Sequence, residues 1–282
     1  METIVARYSG FCEGVERAFQ IALESEKAGQ SVYMLGNLVH NKQVVEKLKA
    51  GGIRSVASLN EVPENAPGAL LISAHGVPPE IYEEAKAKGL KIIDTTCPWV
   101  KKAQNLANKL AGKGCTVVIV GDKGHAEVKG LVGWSRGQAK VVQTLADIEQ
   151  LSLPPGQCVG LIAQTTQAEE HFRRMAEALQ RKAPAVEIHD TICGATNKRQ
   201  SAAVEVARQV DLMLVIGDKM SANTKRLTEL CAATGAETHQ IETAADLDYK
   251  WLTGKKKVGV TGGASTPEWV IAQVLKALRS AP

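Results

Sequence analysis

The sequence predicts an α/β protein made of three related lobes, each with a small parallel sheet. Apolar segments that favour strands alternate with helical patterns, and this alternation is typical of parallel βαβ units. Aromatic residues make up only 4% of the 282 residues, which is typical of α/β architecture rather than of a β-sandwich. A pattern centred on cysteine also occurs three times along the chain, and a repeat of this kind identifies the structural unit.

Each of the three cysteines stands at a predicted helix start. Asp94-Thr95-Thr96-Cys97-Pro98 follows the short apolar segment 90–93, and Pro98 suits the first position of a helix. Asp190-Thr191-Ile192-Cys193 repeats nearly the same sequence, and Phe11-Cys12-Glu13-Gly14 is a third version. A thiol at a helix N-terminus suits a metal ligand or a nucleophile.

The repeats share a register that is set by these cysteines. A glycine follows each cysteine by 24 residues, at Gly36, Gly121 and Gly217. A polar residue follows each by 28 residues, at His40, His125 and Ser221. A second apolar segment with a polar end comes later in each repeat, at 71–76, 161–166 and 258–265. The glycines are expected to form tight turns, since no GxGxxG dinucleotide motif follows a strand.

The connections that carry the cysteines are the predicted lobe boundaries, which gives lobes at 1–96, 97–192 and 193–282. Ligands of parallel sheets lie at the carboxyl ends of the strands. We therefore expect the polar loops of each lobe to share one edge, and the three lobes to surround an approximate threefold axis. The candidate site residues of the three lobes are, in order, Cys12, His40 and His75; Cys97, His125, Glu127 and Thr165; and Cys193, Ser221, Asn223 and Ser265.

Three converging cysteines match a metal site, and three alternatives remain open. Structural zinc takes four ligands, often in close CxxC or HxxxH pairs, and neither pair occurs in this sequence. Iron–sulfur clusters also normally take four cysteines, so three would leave one iron without a protein ligand and open to a substrate oxygen. The third alternative is three buried core cysteines. Cys115, Cys158 and Cys231 lack the repeat context, and we expect all three to pack in the core rather than to form disulfides.

The polar residues at the predicted strand-to-helix loops suit an anion, because unpaired backbone N–H groups and the helix dipole favour negative charge there. His40, His75, His125, Ser221, Asn223, Thr165 and Ser265 could donate to a phosphate or diphosphate. Glu127 stands two residues after His125 and could act as a proton donor, although a structural carboxylate at a helix start is the alternative. His171, His189 and His239 lack this context and are expected at the surface.

Composition excludes several classes of function. The net charge of +4 comes from scattered Lys and Arg, so the sequence has no nucleic-acid footprint. No apolar run approaches the ~18 residues of a membrane span, and no signal-peptide pattern opens the chain. These features predict a soluble cytoplasmic protein that binds neither nucleic acid nor membrane.

Taken together, the motifs resemble the family of 4-hydroxy-3-methylbut-2-enyl diphosphate reductases over essentially the whole chain. They are Gly10-Phe11-Cys12-x-Gly14-Val15-x-Arg17-Ala18, Val39-His40-Asn41, Ser73-Ala74-His75-Gly76, Thr96-Cys97-Pro98, Gly124-His125-x-Glu127-Val128-x-Gly130, Gln164-Thr165-Thr166, Thr191-Ile192-Cys193-x-Ala195-Thr196-x-x-Arg199-Gln200 and Gly263-Ala264-Ser265-x-Pro267.

The resemblance implies a trefoil of three lobes around one central 4Fe-4S cluster held by Cys12, Cys97 and Cys193. It implies that the allylic hydroxyl of the substrate binds the open iron, with Thr165 nearby and Glu127 delivering protons. The diphosphate would be held by His40, His75, His125, Ser221, Asn223 and Ser265. Two electrons from a ferredoxin or flavodoxin, with two protons, would give isopentenyl and dimethylallyl diphosphates in the last step of the non-mevalonate isoprenoid pathway.

The sequence departs from the family at two positions near the site. Ser221-Ala222 stands where many members carry two serines, so the contact at Ala222 is expected through its backbone N–H. Gly194 stands where some members have tyrosine. Two functions from other classes remain as alternatives: an iron–sulfur sensor that binds a phosphorylated effector, and a zinc-dependent phosphate-ester hydrolase that uses His40, His75 and His125.

Overall fold

The fold is an alternation of strands and helices, as the apolar pattern predicts. The computed structural model describes residues 1–27, 29–64, 67–154 and 156–280. The strands are β1 (Glu2–Val5), β2 (Ser31–Leu35), β3 (Arg54–Val56), β4 (Gly68–Ile72), β5 (Lys91–Asp94), β6 (Thr116–Val120), β7 (Ala139–Val142), β8 (Val159–Ala163), β9 (Glu187–Ile188), β10 (Leu212–Ile216), β11 (Glu237–Ile241) and β12 (Lys257–Gly262).

Helices follow nearly all of these strands and supply the crossover connections of parallel sheets. They are α1 (Glu13–Glu26), α2 (Lys42–Ala50), α3 (Pro79–Ala87), α4 (Pro98–Gly112), α5 (Ala126–Trp134), α6 (Leu145–Gln150), α7 (Glu169–Lys182), α8 (Gly194–Ala207), α9 (Ala222–Ala232) and α10 (Glu268–Arg279). Short 3₁₀ turns lie at Leu59–Glu61, Ala244–Asp246 and Tyr249–Leu252. No helix of the described residues is both long enough and apolar enough to cross a bilayer.

The strands form three four-stranded sheets, and all of their pairings are parallel. The strand orders are β5-β4-β2-β3, β9-β8-β6-β7 and β1-β12-β10-β11. These orders are equivalent: each sheet has the strand before a cysteine at one edge, and next to it the strand of the second apolar segment. The predicted α/β class with three small parallel sheets is therefore confirmed.

The central strands are buried on both faces. Every residue of β4, β6, β8 and β10 is buried, so these strands are continuous apolar runs rather than alternating ones. Around the sheet that contains β6, one apolar cluster forms with α7 and another with α4 and α5. Around the sheet that contains β10, the two clusters involve α10 on one side and α8 and α9 on the other. The helices therefore cover both faces of these two sheets.

The N-terminal strand lies in a sheet that its sequence position does not indicate. β1 pairs with β12 in the sheet of the third predicted lobe, rather than with strands of residues 1–96. The chain also divides into two compact units: the first contains Met1–Glu16, Val39–Val45 and the chain from Gly194 onwards, and the second contains Arg17–Leu38 and Glu46–Cys193. The division into lobes at 96 and 192, and their arrangement about a threefold axis, stay predictions.

Two cysteines that were expected only to pack in the core form a disulfide. Cys115 is fully buried, as expected, but it is bonded to Cys158, with 4.4 Å between their Cα atoms. The reason is their position in the sheet, because each immediately precedes a strand of the parallel pair β6–β8, where Thr116 aligns with Val159. Adjacent parallel strands thus bring together two cysteines that are 43 residues apart in sequence. Cys231 is buried in the core as predicted.

Within the second unit, α5 packs closely on the segment that precedes α3. The Trp134 indole N–H donates to the Val77 carbonyl at 3.0 Å. Gly133 faces Pro78 so closely that a Cβ atom at Gly133 would lie 2.5 Å from the Pro78 Cβ. A glycine is needed here for close approach rather than for backbone conformation.

We predict that Gly133→Ala lowers the free energy of unfolding by about 1–3 kcal/mol, because the added methyl overpacks a rigid proline contact. Chemical denaturation would measure the change. Gly112→Ala in α4 is the matched control, since the nearest atom to its added Cβ is 3.8 Å away. That variant should be as stable as the parent or slightly more stable. Equal stability of the two variants would contradict the packing account.

Candidate active site

The three repeat cysteines are anchored by equivalent backbone hydrogen bonds. The Cys97 N–H donates to the Ala74 carbonyl at 3.0 Å, and the Cys193 N–H donates to the Thr165 carbonyl at 2.9 Å. In the first unit, the Cys12 N–H donates to the Ala264 carbonyl at 3.1 Å. Each acceptor lies in the loop that follows β4, β8 or β12. The backbone therefore fixes each cysteine at the carboxyl edge of a parallel sheet.

The same three cysteines are the ones whose chemistry suits a thiolate ligand. Each is partly exposed and lies outside any disulfide. Each also directly precedes the first residue of a helix, α1, α4 or α8. The other cysteines do not suit this role. Cys115 and Cys158 are joined to each other, and burial raises the pKa of the Cys231 thiol to about 12. Cys12, Cys97 and Cys193 are therefore the three cysteines whose thiols each suit ligation of a soft metal.

Glu127 is a buried carboxyl group that, within the described part of the chain, accepts hydrogen bonds from two groups of Thr165. It is only 2% exposed, in the first turn of α5. The Thr165 N–H donates to Oε1 at 2.6 Å, and the Thr165 hydroxyl donates to Oε2 at 2.9 Å. Burial raises the pKa of Glu127 to about 7, an effect that exceeds the opposing effect of the two hydrogen bonds. The group can therefore hold or release a proton near neutral pH.

His75 and His125 lie together in the second unit. Their rings meet edge to face, with centroids 5.3 Å apart. His125 caps α5, where its Nδ1 accepts the Glu127 N–H at 3.2 Å. A neutral imidazole that accepts at Nδ1 carries its hydrogen on Nε2. His125 can therefore donate from Nε2 to an anion while it also positions the backbone of Glu127.

The predicted polar residues of the first unit also come together. Ser265 donates from its hydroxyl to the His40 carbonyl at 3.0 Å, and its oxygen lies 3.5 Å from the Ser221 hydroxyl. Ser221 caps α9 by accepting the Thr224 N–H. Asn223 is 4% exposed, and neither atom of its side-chain amide has a partner among the described residues. A buried amide without a partner indicates a place for a polar ligand.

Burial lowers the pKa of His40, an effect that the nearby charge of Asp218 partly opposes. Ala222 begins α9, where backbone N–H groups are not used within the helix and can bind an anion. The histidines expected at the surface, His171, His189 and His239, are all partly exposed. His239 stacks on Trp251, with ring centroids 3.9 Å apart.

Gln104 is a polar residue near the site that the sequence analysis missed. It is 1% exposed, on the buried face of α4, and both of its amide atoms lack a partner among the described residues. Its Nε2 faces the turn at His75-Gly76, where a Cβ on Gly76 would lie only 2.3 Å away. Gly76 also has a positive φ of 71°. Both the close contact and the backbone conformation therefore require glycine at this turn. The available signal was a glutamine at an otherwise apolar position of the helix, between Ala103 and Ala107.

Comparison with known proteins gives one consistent family. The LytB protein family model matches residues 3–279. The 4-hydroxy-3-methylbut-2-enyl diphosphate reductase of Geobacter metallireducens is 43% identical over 279 residues, covering 99% of this chain and 97% of that protein. The enzyme of the same name from Geobacter sulfurreducens is 40% identical over 279 residues, with coverage of 99% and 97%.

Solved structures agree with these sequence relatives. The E-1-hydroxy-2-methyl-but-2-enyl-4-diphosphate reductase of Plasmodium falciparum matches with a TM-score of 0.95 and 31% identity, covering 100% of this chain and 89% of that one. A structure of (E)-4-hydroxy-3-methyl-but-2-enyl diphosphate reductase, described as the terminal enzyme of the non-mevalonate pathway, matches with a TM-score of 0.70 and 40% identity, covering 99% and 100%. With a family match over nearly its whole length and relatives of this identity, the chain belongs to the LytB protein family of 4-hydroxy-3-methylbut-2-enyl diphosphate reductases.

Proposed function

We propose that this protein reduces 4-hydroxy-3-methylbut-2-enyl diphosphate to isopentenyl diphosphate and dimethylallyl diphosphate, the last step of the non-mevalonate pathway. The observation that carries the proposal is the position of Thr165. Its N–H and hydroxyl bind the buried Glu127 carboxyl group, while its carbonyl accepts the N–H of Cys193. A proton donor and a candidate cluster ligand are thus joined through one residue. This arrangement, together with the family, favours the reductase over the sensor and the zinc hydrolase.

Cys12, Cys97 and Cys193 are the residues that would hold a 4Fe-4S cluster. Thiolates are the usual ligands of such clusters, and these three thiols are placed by the backbone and partly exposed. When bound, a cluster with three cysteine ligands supplies the electrons of the reduction and one iron that no protein residue ligates.

The diphosphate would be bound by the polar side chains and backbone N–H groups of the strand-to-helix loops. In the second unit, His75 and His125 can donate from their imidazoles. In the first unit, the donors are His40, the Ser221 and Ser265 hydroxyls, the Asn223 amide and the backbone N–H of Ala222. Hydrogen bonds to charged phosphate oxygens are stronger than those between neutral groups, so these donors can secure the substrate.

The reaction consumes two electrons and two protons for each substrate, and the allylic hydroxyl group leaves as water. A ferredoxin or flavodoxin would be the electron donor. Protonated Glu127 can donate to the Thr165 hydroxyl oxygen, and the Thr165 hydroxyl can then pass its own hydrogen to the leaving hydroxyl group. Because the pKa of Glu127 is raised to about 7, a large share of the carboxyl groups carry this proton at neutral pH.

The direct test uses the anaerobically purified protein with the substrate and a reduced viologen dye as electron source. We expect both isopentenyl and dimethylallyl diphosphates as products. A cluster-loaded protein that consumes no substrate, or that releases phosphate instead, would overturn the proposed function.

We predict that Glu127→Gln lowers kcat by about 100-fold or more, because an amide cannot supply the proton. For the parent protein, kcat should fall as pH rises through about 7. Glu127 has its pKa raised to about 7, so it loses the catalytic proton over this range. The residual rate of the variant should be flat over this range. Glu170→Gln, at an exposed side chain of α7, is the control. A near-normal rate in Glu127→Gln would remove Glu127 from the mechanism.

We predict that Asn223→Leu raises the KM for the diphosphate substrate by about 10- to 100-fold, since a hydrogen bond to a charged group contributes about 1.5–3 kcal/mol. Its free energy of unfolding should not fall, because the amide atoms have no partner among the residues that the structure describes. Asn105→Ala, at an exposed position of α4, is the control. An unchanged KM in Asn223→Leu would show that this amide does not bind substrate.

A further inference from the structure

An aromatic and basic surface surrounds the start of α4, beside Cys97. Trp99 is 46% exposed, two residues after this cysteine. The Lys102 ammonium lies 5.5 Å from the centre of the Trp99 ring. The buried face of α4 is formed by other residues, among them Val100, Ala103 and Ala107. Trp99 and Lys102, three residues apart, therefore lie on the outer face of the same helix.

A third member of this surface comes from α1. Arg17, an exposed residue of the second unit, donates to the Thr96 carbonyl at 3.4 Å. Thr96 is the residue immediately before Cys97. Glu13 and Glu16 precede Arg17 in the same helix and reduce its local positive charge. The positive charge of Lys101 is compensated by Asp94, because the Asp94 Oδ2 lies 2.6 Å from the Lys101 ammonium. Lys102 is therefore the main positive charge of the surface.

An exposed tryptophan beside cations has the composition of a binding surface rather than of ordinary solvated surface. Tryptophan and arginine are enriched among the residues that dominate binding energy, and large apolar side chains are depleted elsewhere on the surface. Positive charge selects an acidic partner and raises its rate of encounter. A carrier that delivers electrons must approach the cluster. Trp99 is two residues after Cys97, a candidate cluster ligand.

We propose that Trp99, Lys102 and Arg17 form the docking site of a small acidic protein that carries electrons, of the iron–sulfur or flavin kind. This inference rests on the proposed reductase function, because two electrons must enter for each hydroxyl group that leaves as water. The carrier is oxidised as the substrate is reduced. A small, transient and electrostatically steered contact is typical of electron-transfer partners.

The test compares Lys102→Glu and Trp99→Ala with the parent holoenzyme, using two electron sources. One is a reduced acidic flavodoxin, and the other is reduced methyl viologen, which needs no protein contact. We expect the flavodoxin KM to rise about tenfold or more in both variants, which corresponds to losing about 1.4 kcal/mol of binding. Activity with the dye should change less than about twofold. The fall of kcat/KM with added salt should also be shallower in Lys102→Glu.

Lys109→Glu is the matched control, because it makes the same charge change at an exposed position in the last turn of α4. It should keep the parental KM for flavodoxin. Equal losses with flavodoxin and dye would overturn the docking site and indicate an effect on the cluster or the fold. A parental KM for flavodoxin in both Lys102→Glu and Trp99→Ala, as expected for Lys109→Glu, would also overturn the docking site.

A titration of flavodoxin into the holoenzyme at low salt separates this inference from the function on which it rests. Suppose that the parent binds flavodoxin and Lys102→Glu weakens this binding, but the reduced dye does not support reduction of the substrate. This result would contradict the reductase function and leave the docking site standing. Reduction with the dye, but no flavodoxin binding by the parent, would contradict the docking site and leave the reductase.

Discussion

The hydrogen bond from each cysteine N–H to a neighbouring loop carbonyl is the constraint on which the site depends. The bond occurs three times, to Ala74, Thr165 and Ala264. A parallel sheet puts the carboxyl ends of its strands at one edge, so the strand before a cysteine and the strand beside it end together. The repeated bond then fixes the thiol relative to the loop that carries the polar residues. One backbone rule therefore places both the thiols and their polar neighbours.

The chemistry of the second unit follows from that constraint through Thr165. The Thr165 carbonyl accepts the Cys193 N–H, and the N–H and hydroxyl of the same residue donate to the carboxyl group of Glu127. Burying a carboxylate without donors would be costly, and Thr165 offsets part of that cost. Burial still has the larger effect on the pKa, which rises to about 7. Thr165 thus stabilises the charged form of this buried acid, while burial keeps the acid largely protonated up to neutral pH.

Much of the fold follows from the repeat in the sequence. The shared offsets place Gly36, Gly121 and Gly217 in equivalent positions, and each donates its N–H to the last residue of the outer strand of its sheet. The sequence could not show that β1 completes the third sheet, because strand pairing between the two ends of a chain leaves no local signal. The disulfide was missed for the same reason, since only the β6–β8 register brings Cys115 to Cys158. Gln104 was missed because a single polar residue on an apolar helix face has no motif.

The most direct test of the account is the iron and acid-labile sulfide content of the anaerobically purified protein and of single cysteine variants. The account predicts roughly four irons per chain in the parent, as for a cubane cluster. It predicts the same content in Cys231→Ala, whose thiol is buried in the core, and a clear loss of iron in Cys12→Ser, Cys97→Ser and Cys193→Ser. A parent protein that contains zinc instead of iron, or full clusters in any of the three serine variants, would contradict it.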